Sequence, residues 1–388
     1  MSSNLRNRKF VFRNAQLSEG EFLKAVAGFD VGSYSVLSEL AKEFGTLKKK
    51  SLYKFSNILK SEQATGDDIS ESKNVRQSYK VQKSENIRYS WRIISTKDSL
   101  DVSGCLDCEM IYEAVLAAQT NYGLKFYLQI RGSRDSEYCM HGQNLSNTFG
   151  CIGLRDKKFC ILNKQYTKEA YEELVPKIIE HMNGMPYVPQ VKGEREQVTG
   201  EIVYRYGEFF PPEISPFAYN ETITQEYFPL AEQEALKEGY RWRNIEERGY
   251  RVTRESDRVP DRIADVSAEI VNDILGCEHS GTCNDQCTRA FKITPQELQF
   301  YKKMSLPIPR LCPNCRHYRR VRERNPLYLW HRQCVCLSSE ALAKEDAYRN
   351  TAAHFHGKAR CPNEFETPYA PNRPEIVYCE TCYQEEVV

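Results

Sequence analysis

Ser72-Lys-Asn-Val-Arg-Gln-Ser-Tyr-Lys-Val81 is answered twelve residues later by Ser84-Glu-Asn-Ile-Arg-Tyr-Ser-Trp-Arg-Ile93, and Lys97-Asp-Ser-Leu100 opens a looser third copy. Most matching positions agree in character. Short apolar–polar strands joined by Ser, Asn, Asp and Gly turns, repeated in register, predict the stacked rungs of a β-solenoid. Each rung would bury its Val, Ile, Tyr or Trp against the next. The alternative is an ordinary antiparallel sheet. The match includes turn residues as well as strand residues, which favours the solenoid.

A longer repeat brackets this region. Lys9-Phe-Val-Phe-Arg-Asn-Ala-Gln-Leu-Ser-Glu-Gly-Glu-Phe22 echoes Lys158-Phe-Cys-Ile-Leu-Asn-Lys-Gln-Tyr-Thr-Lys-Glu-Ala-Tyr171. Each copy reads as a short strand, a turn, a Ser or Thr N-cap and a helix. In the second helix Tyr171, Leu174, Val175, Ile178, Ile179 and Met182 form one apolar stripe, and Pro176 is expected to kink it.

The chain ends in two sets of cysteines, one at 277, 283, 287, 312 and 315, the other at 334, 336, 361, 379 and 382. Each set offers five thiols where a structural zinc needs four. Cys312-Pro-Asn-Cys315 and Cys379-Glu-Thr-Cys382 place paired thiolates on tight turns. The first site is assigned to Cys283, Cys287, Cys312 and Cys315, with Cys277 as the alternate and His279 able to substitute. The second is assigned to Cys334, Cys361, Cys379 and Cys382, with Cys336 as the alternate, because a Cys-x-Cys pair rarely gives both ligands of one tetrahedron. His354 and His356 read as surface residues. Two structural Zn²⁺ sites are expected, and all-thiolate sites leave no open position for catalysis. The remaining five cysteines, Cys105, Cys108, Cys139, Cys151 and Cys160, read as small core residues of the solenoid. A metal held by Cys105 and Cys108 with Cys139 or Cys151 is the other reading.

Between the two sites lie Arg316, Arg319, Arg320, Arg322, Arg324 and Arg332, interleaved with Tyr318, Tyr328 and Trp330. Arginines neutralise phosphates and aromatics stack on bases, so this strip is the candidate nucleic-acid-binding surface. The competing reading is that it pairs with acids elsewhere and packs between the ribbons. A net charge of +1 over 388 residues gives no wider basic field and favours the competing reading.

These features predict a mixed α+β chain in five parts: a helical segment at 1–60, expected, from the family resemblance given below, to be the tail of a truncated repeat module; a β-solenoid-like domain with its closing helix at 61–183; an irregular aromatic and Pro-rich linker region at 184–264; a first zinc ribbon at 265–332; and a second at 333–388. Charged residues from Arg248 to Arg262 are expected at the surface. No phosphate-cradling glycine loop, GxSxG or HExxH is present, so no catalytic residue is assigned. Carboxylates on a solenoid face (Asp67, Asp68, Asp98, Asp101, Asp107 and Glu109) could serve a carbohydrate-active enzyme but read as turn residues. No apolar run approaches ~18 residues, and no signal-peptide core opens the chain. Odd cysteine counts argue against a disulfide framework, so a reduced, cytoplasmic protein is expected. The partner is nucleic acid or a protein, with a scaffold built on the solenoid as the alternative. The oligomeric state is left open.

The chain resembles a family of uncharacterised zinc-ribbon and cysteine-rich repeat proteins common in candidate phyla radiation (Patescibacteria) bacteria. The resemblance runs from about Ser51 to the end. It rests on Asn147-Thr-Phe-Gly-Cys-Ile-Gly-Leu-Arg155, on Phe159 to Tyr171, and on Gly207-Glu-Phe-Phe-Pro-Pro through Ser215-Pro-Phe-Ala-Tyr-Asn-Glu-Thr222. It continues in Pro295 to Tyr301, Leu306 to Arg316, Arg324-Asn-Pro-Leu-Tyr-Leu-Trp-His-Arg332 and Tyr369 to Cys382. The resemblance implies zinc ribbons joined to a cysteine-rich repeat region, and it carries no activity. Members often have a further ribbon and more cysteine rungs upstream, so this chain reads as a shortened member.

Overall fold

In the computed structural model, residues 1–189, 203–244, 249–336, 350–357 and 359–387 are described. Their centre is a β-solenoid of about nine turns. Strands Glu62–Ser70, Lys73–Gln82, the long winding run Lys97–Arg131, Ser146–Phe149 and Lys158–Ile161 belong to one parallel sheet system. The register advances by twelve: Val75 lies on Ile87, Ile87 on Ser99, and Thr148 on Cys160.

Inside each turn runs a shorter period of three. Val75, Ser78, Val81, Ser84, Ile87, Ser90, Ile93, Thr96, Ser99 and Val102 all point inward and are buried. The residue before each inward one adopts a left-handed conformation, as at Asn74 (φ 52°), Gln77 (φ 43°), Lys80 (φ 54°), Lys83 (φ 49°) and Asn86 (φ 55°). Two extended residues and one left-handed residue therefore make a side, and four sides close a turn. Left-handed backbone costs an L-residue roughly 1–2 kcal/mol. Parallel pairing and a continuous core offset that cost at every step.

This geometry corrects two expectations. The serines read as turn residues lie in the interior, and the aromatics read as core lie outside it: Tyr79 and Trp91 are half-buried on the exterior, and Tyr89 is 56% exposed. The hydroxyls of Ser72, Ser78, Ser84, Ser90 and Ser99 are tolerable inside because each has two partners. Ser84 Oγ donates to the Gln82 carbonyl (2.8 Å) and accepts the N–H of Thr96 (3.1 Å). Ser72 and Ser90 do the same for Ser84 and Val102. The serine column thus extends the backbone ladder inward and leaves no donor orphaned. On the outside Asn74, Asn86 and Asp98 form a matching side-chain ladder, with contacts of 2.7 and 2.6 Å.

Cys139, Cys151 and Cys160 are buried in the same core. Cys105 and Cys108 are joined to each other in a disulfide. That pairing removes both from any metal set and departs from the expectation of an all-thiol chain. Further along, Tyr127 enters the core and belongs to the same buried cluster as Ala114 and Ala117.

Both ends of the coil are covered. At the far end Lys158–Ile161 turns back antiparallel onto Lys164–Gln165 and leads into helix Lys168–Gly184, capped by Thr167. Its predicted stripe is the half-buried face, and Pro176 sits within the continuous helix. The N-terminal copy of this motif has the same build: strands Val11–Phe12 and Ala15–Gln16, then helix Glu19–Ala27 capped by Ser18. Phe10 packs on Phe22 at 5.9 Å, as Phe159 packs on Tyr171 at 5.9 Å. At the near end strand Leu52–Lys54 pairs in parallel with Ile376–Tyr378. Thr367 Oγ1 donates to the Phe55 carbonyl (2.6 Å), and Asn325 bonds Asp67 in the first rungs (3.2 Å).

In the region read as irregular, the aromatic and Pro-rich stretch from Tyr206 to Ala218 forms no α-helix and only a short 3-10 turn at Pro212–Ile214. Tyr206 and Phe210 lie on an exterior row formed by Tyr112, Phe126, Tyr138 and Phe149, in which Phe126 and Tyr138 stack at 4.5 Å. The Gly207 N–H donates to Tyr138 Oη (3.0 Å), which donates to the Glu208 carbonyl (3.1 Å). Helix Thr224–Tyr227 then joins the coil to the first cysteine module, with Tyr227 against Trp91 at 4.5 Å. Arg248, the start of the charged run, lies outside the described residues, as does Gln190 of the linker.

Candidate metal centres

The two cysteine modules share one plan. In the first, strand Leu275–Gly276 pairs antiparallel with Ala290–Phe291. Cys277 follows the first strand and Cys287 precedes the second. Helix Pro295–Lys303, held by the Thr294–Glu297 capping box, intervenes. Cys312 is then the N-cap of helix Pro313–Val321, and Cys315 sits in its first turn. In the second, Trp330–Gln333 pairs with Glu364–Thr367, Cys334 follows and Cys361 precedes. Strand Ile376–Tyr378 delivers Cys379 to the start of helix Glu380–Val387, with Cys382 in its first turn.

Each plan gathers four buried sulfurs: Cys277, Cys287, Cys312 and Cys315 in one module, and Cys334, Cys361, Cys379 and Cys382 in the other. Sγ–Sγ distances are 3.9 Å for Cys277–Cys315, 4.0 Å for Cys312–Cys287, 3.9 Å for Cys361–Cys379 and 3.6 Å for Cys382–Cys361. A tetrahedral ion with metal–sulfur bonds of ~2.3 Å sets thiolates about 3.8 Å apart. The groups are therefore of the right size to hold a metal ion.

Backbone amides prepare the sulfurs. Cys312 N–H points at Cys277 Sγ (3.2 Å) and Cys315 N–H at Cys312 Sγ (3.5 Å). The second module repeats both contacts, Cys379 N–H on Cys334 Sγ (3.2 Å) and Cys382 N–H on Cys379 Sγ (3.5 Å). The neighbouring Cys277 thiol, with Thr288 and the Cys315 amide, holds the Cys312 thiol well below the usual thiol range, with burial opposing. Cys334 does the same for Cys379, with the Cys382 amide and Asn363 assisting. Cys277 and Cys334 are pushed up in return. A thiolate at a helix N-terminus is also favoured by the helix dipole.

Cys283 was expected as a ligand and Cys277 as its alternate. The four-sulfur group contains Cys277 instead, because Cys277 leaves its strand directly beneath the Cys312 amide. Cys283 is half-exposed, 3.6 Å from Cys315 Sγ, and forms a second grouping with His279 and Asp285. The expected four of the second module do come together. Cys336 lies outside that set, in a grouping with His354, His356 and Cys382. His354, read as a surface residue, has a side chain only 2% exposed.

Most of the basic strip is engaged within the chain. Arg322 bonds both oxygens of Asp285 (2.5 and 3.1 Å). Arg324 bonds Tyr227 and Glu226 and lies over the Tyr227 ring. Arg316 bonds Tyr301, and Arg332 bonds the carbonyls of Tyr369 and Ala370. Arg319 and Arg320 are exposed on the outer side of their helix. Three of the six carboxylates considered for catalysis are bonded to neighbouring rungs: Asp67 by the Asn57 amide (2.9 Å), Asp68 by the Asn57 side chain (3.3 Å) and Asp98 by Asn86 (2.6 Å). Burial raises the Asp101 and Glu113 carboxyls, and Asp101 raises Glu113 further.

A feature that the sequence reading missed lies on the coil itself. One exterior face forms a shallow groove of about 860 Å³ that crosses successive rungs. Lys80, Arg92, Arg131, His141 and Arg155 line it, all exposed, with Asp68 the one carboxylate. Lys80 and Arg92 stand twelve residues apart and Arg131 and Arg155 twice that, so a count of positive charge at multiples of twelve would have found these two pairs.

Among the described residues no helix is long and apolar enough to cross a membrane. Fold and clusters together define a β-solenoid protein carrying cysteine groups that can hold metal ions. No family model, curated protein or solved structure matches the chain.

Proposed function

We propose that the chain is a non-enzymatic zinc protein that binds nucleic acid along the outside of its coil. Zinc is the metal that best suits four buried thiolates with no open position. Such closed sites hold a fold together and leave no coordination place for a substrate. The observation that carries the binding reading is the groove. Lys80, Arg92, Arg131 and Arg155 recur along one face with a single carboxylate among the lining residues. Arg319 and Arg320 add two exposed cations on the first module. Cations along a groove neutralise a phosphate backbone, and the apolar side chains of Ile94, Leu106 and Leu116 between them offer contact to bases. The assembly alternative is weakened because both ends of the coil are covered, which removes the open edges that end-to-end stacking requires. Kinship with the Patescibacterial ribbon family and a cytoplasmic location belong to the same proposal. The many free thiols suit a reducing compartment, and the Cys105–Cys108 disulfide counts against it.

The test is titration of labelled single-stranded RNA and DNA against the whole protein at several salt concentrations. Binding should weaken with salt, with a slope of roughly 0.7 per phosphate contact for single strands. Changing Lys80, Arg92, Arg131 and Arg155 together to Gln should remove up to four contacts and flatten the slope by about 3. Absence of binding at low salt would reject nucleic acid and leave a protein partner as the reading to pursue.

A further inference from the structure

The second module holds a fifth thiol and two imidazoles that the four-sulfur site does not use. Cys336 Sγ lies 3.3 Å from His354 Nδ1 and 3.2 Å from His356 Nε2. With Cys382 Sγ, these ligand atoms all lie within 4.8 Å of one another. Cys382 is also a member of the four-sulfur set. We propose that Cys336, His354 and His356 hold a second metal ion in this module, a Zn²⁺-type cation, and that Cys382 bridges it to the ion in the four-thiolate site. This rests on reading that neighbouring set as an occupied site.

The outer atoms of both imidazoles point to the same conclusion. His356 Nδ1 lies 2.7 Å from the Ala359 carbonyl, which can only accept, so this nitrogen carries the proton. His354 Nε2 lies 2.9 Å from Glu386 Oε2, whose side chain is fully buried. Metal-bound histidines are characteristically anchored in this way, by a carbonyl or carboxylate on the far nitrogen. With the outer nitrogens protonated, both inner nitrogens present lone pairs to the same sulfur. A thiol has one proton and can satisfy one of them. A cation between them satisfies both imidazoles and the thiolate together. Glu385 Oε2 stands 3.3 Å from His354 Nδ1 and offers a further oxygen ligand. Asn350 Nδ2 donates to Cys336 Sγ at 3.1 Å, as expected for a sulfur that carries negative charge.

The first module has a similar satellite, His279, Cys283 and Asp285 beside Cys315. There Arg322 places its guanidinium on both Asp285 oxygens, so that carboxylate already has a cationic partner. The inference is therefore confined to the second module, where among the described residues no arginine bonds Cys336, His354 or His356.

The experiment uses the whole protein, purified without chelator, with zinc measured per chain by elemental analysis. His354→Ala/His356→Ala and, separately, Cys336→Ser should each lose one equivalent. Cys361→Ala reports on the four-thiolate site independently. If that variant loses no metal, the neighbouring-site reading has failed rather than this one. Cobalt(II) replacement tests the bridge. Two cobalt ions sharing Cys382 sulfur should couple and suppress their paramagnetic resonance, and the histidine variants should restore the signal of an isolated ion. An unchanged zinc count in both the histidine and Cys336 variants would overturn the site. Full-intensity cobalt signals from the native protein would overturn the bridge.

Discussion

The backbone N–H of Cys379 points at the sulfur of Cys334 from 3.2 Å, across 45 residues of chain. The contact fixes the start of a helix against the end of a strand, and it does so through an atom that is also a candidate ligand. Amide and metal therefore favour the same charged sulfur. Helix placement and metal occupancy become one equilibrium.

Metal removal should consequently unfold the modules rather than merely empty them. Structural zinc contributes roughly 10–16 kcal/mol of apparent binding energy at neutral pH, comparable to or larger than the stability of a typical domain at ~5–15 kcal/mol. Treatment with a strong chelator should shift the fluorescence of Trp330 while the far-ultraviolet β signal of the coil largely remains. Cys287→Ala should lose one metal equivalent, whereas Cys283→Ala should keep it. Elemental analysis of the two variants checks the assignment.

Ser84→Ala tests the interior hydroxyl column. The substitution leaves the buried N–H of Thr96 without its acceptor. An orphaned buried donor costs about 1–3 kcal/mol. The urea midpoint should fall accordingly, and Ser84→Thr, which keeps an oxygen, should recover part of the loss.

Gly66→Ala should be far more damaging. Gly66 has φ of +144°, and a Cβ there would lie 1.7 Å from the Ser78 carbonyl oxygen. The ladder shifts register between Ala64 and Gly66, where the first short turn gives way to the twelve-residue repeat. The variant should lose upwards of ~4 kcal/mol or fail to accumulate as folded protein. Gly153→Ala, with nothing within 4 Å of its added carbon, is the milder control despite its φ of +69°.

His331 provides a pH dependence of definite sign. Bonds to Glu366 (3.0 Å) and then Glu364 (3.2 Å) raise its pKa. The protonated ring is the form favoured in the folded state. Its contribution is complete below the unfolded value near ~6.5 and is lost as pH rises through the folded value. The melting-temperature gap between native protein and His331→Gln should therefore be present in mildly acidic buffer and close in alkaline buffer.

Much of the fold was legible because the interior repeats its chemistry at an offset of twelve. Val75 over Ile87 and Ser78 over Ser90 are visible without a structure. The finer period of three was not, because most left-handed positions are held by Asn, Gln, Lys, Tyr, Arg and Asp, and glycine takes only some of them, such as Gly104, Gly123 and Gly132. Serine every six residues looked like turn punctuation, since only packing reveals that its hydroxyl replaces a missing backbone partner. In the first metal group Cys283 was chosen for proximity in sequence, but Cys277 is placed by strand pairing and a distant amide. His354 looked like surface because Glu386, which anchors it, lies 32 residues away. The pairing of Leu52–Lys54 with Ile376–Tyr378 joins segments from opposite ends of the chain, and no local pattern announces it.

The coil is built of near-identical turns, each supported chiefly by the next. In such a stack the interior is secure and fraying begins at a terminus. One terminus is closed by a hairpin and helix that need nothing but protein. The other is closed by strand Ile376–Tyr378 and the Thr367–Phe55 contact, both belonging to the second cysteine module. Loss of metal thus gives the stack a direction of unravelling. Proteolytic cuts would appear first around residues 55–70 and advance toward the hairpin, so the order of fragments would record whether the chain had been holding its ions.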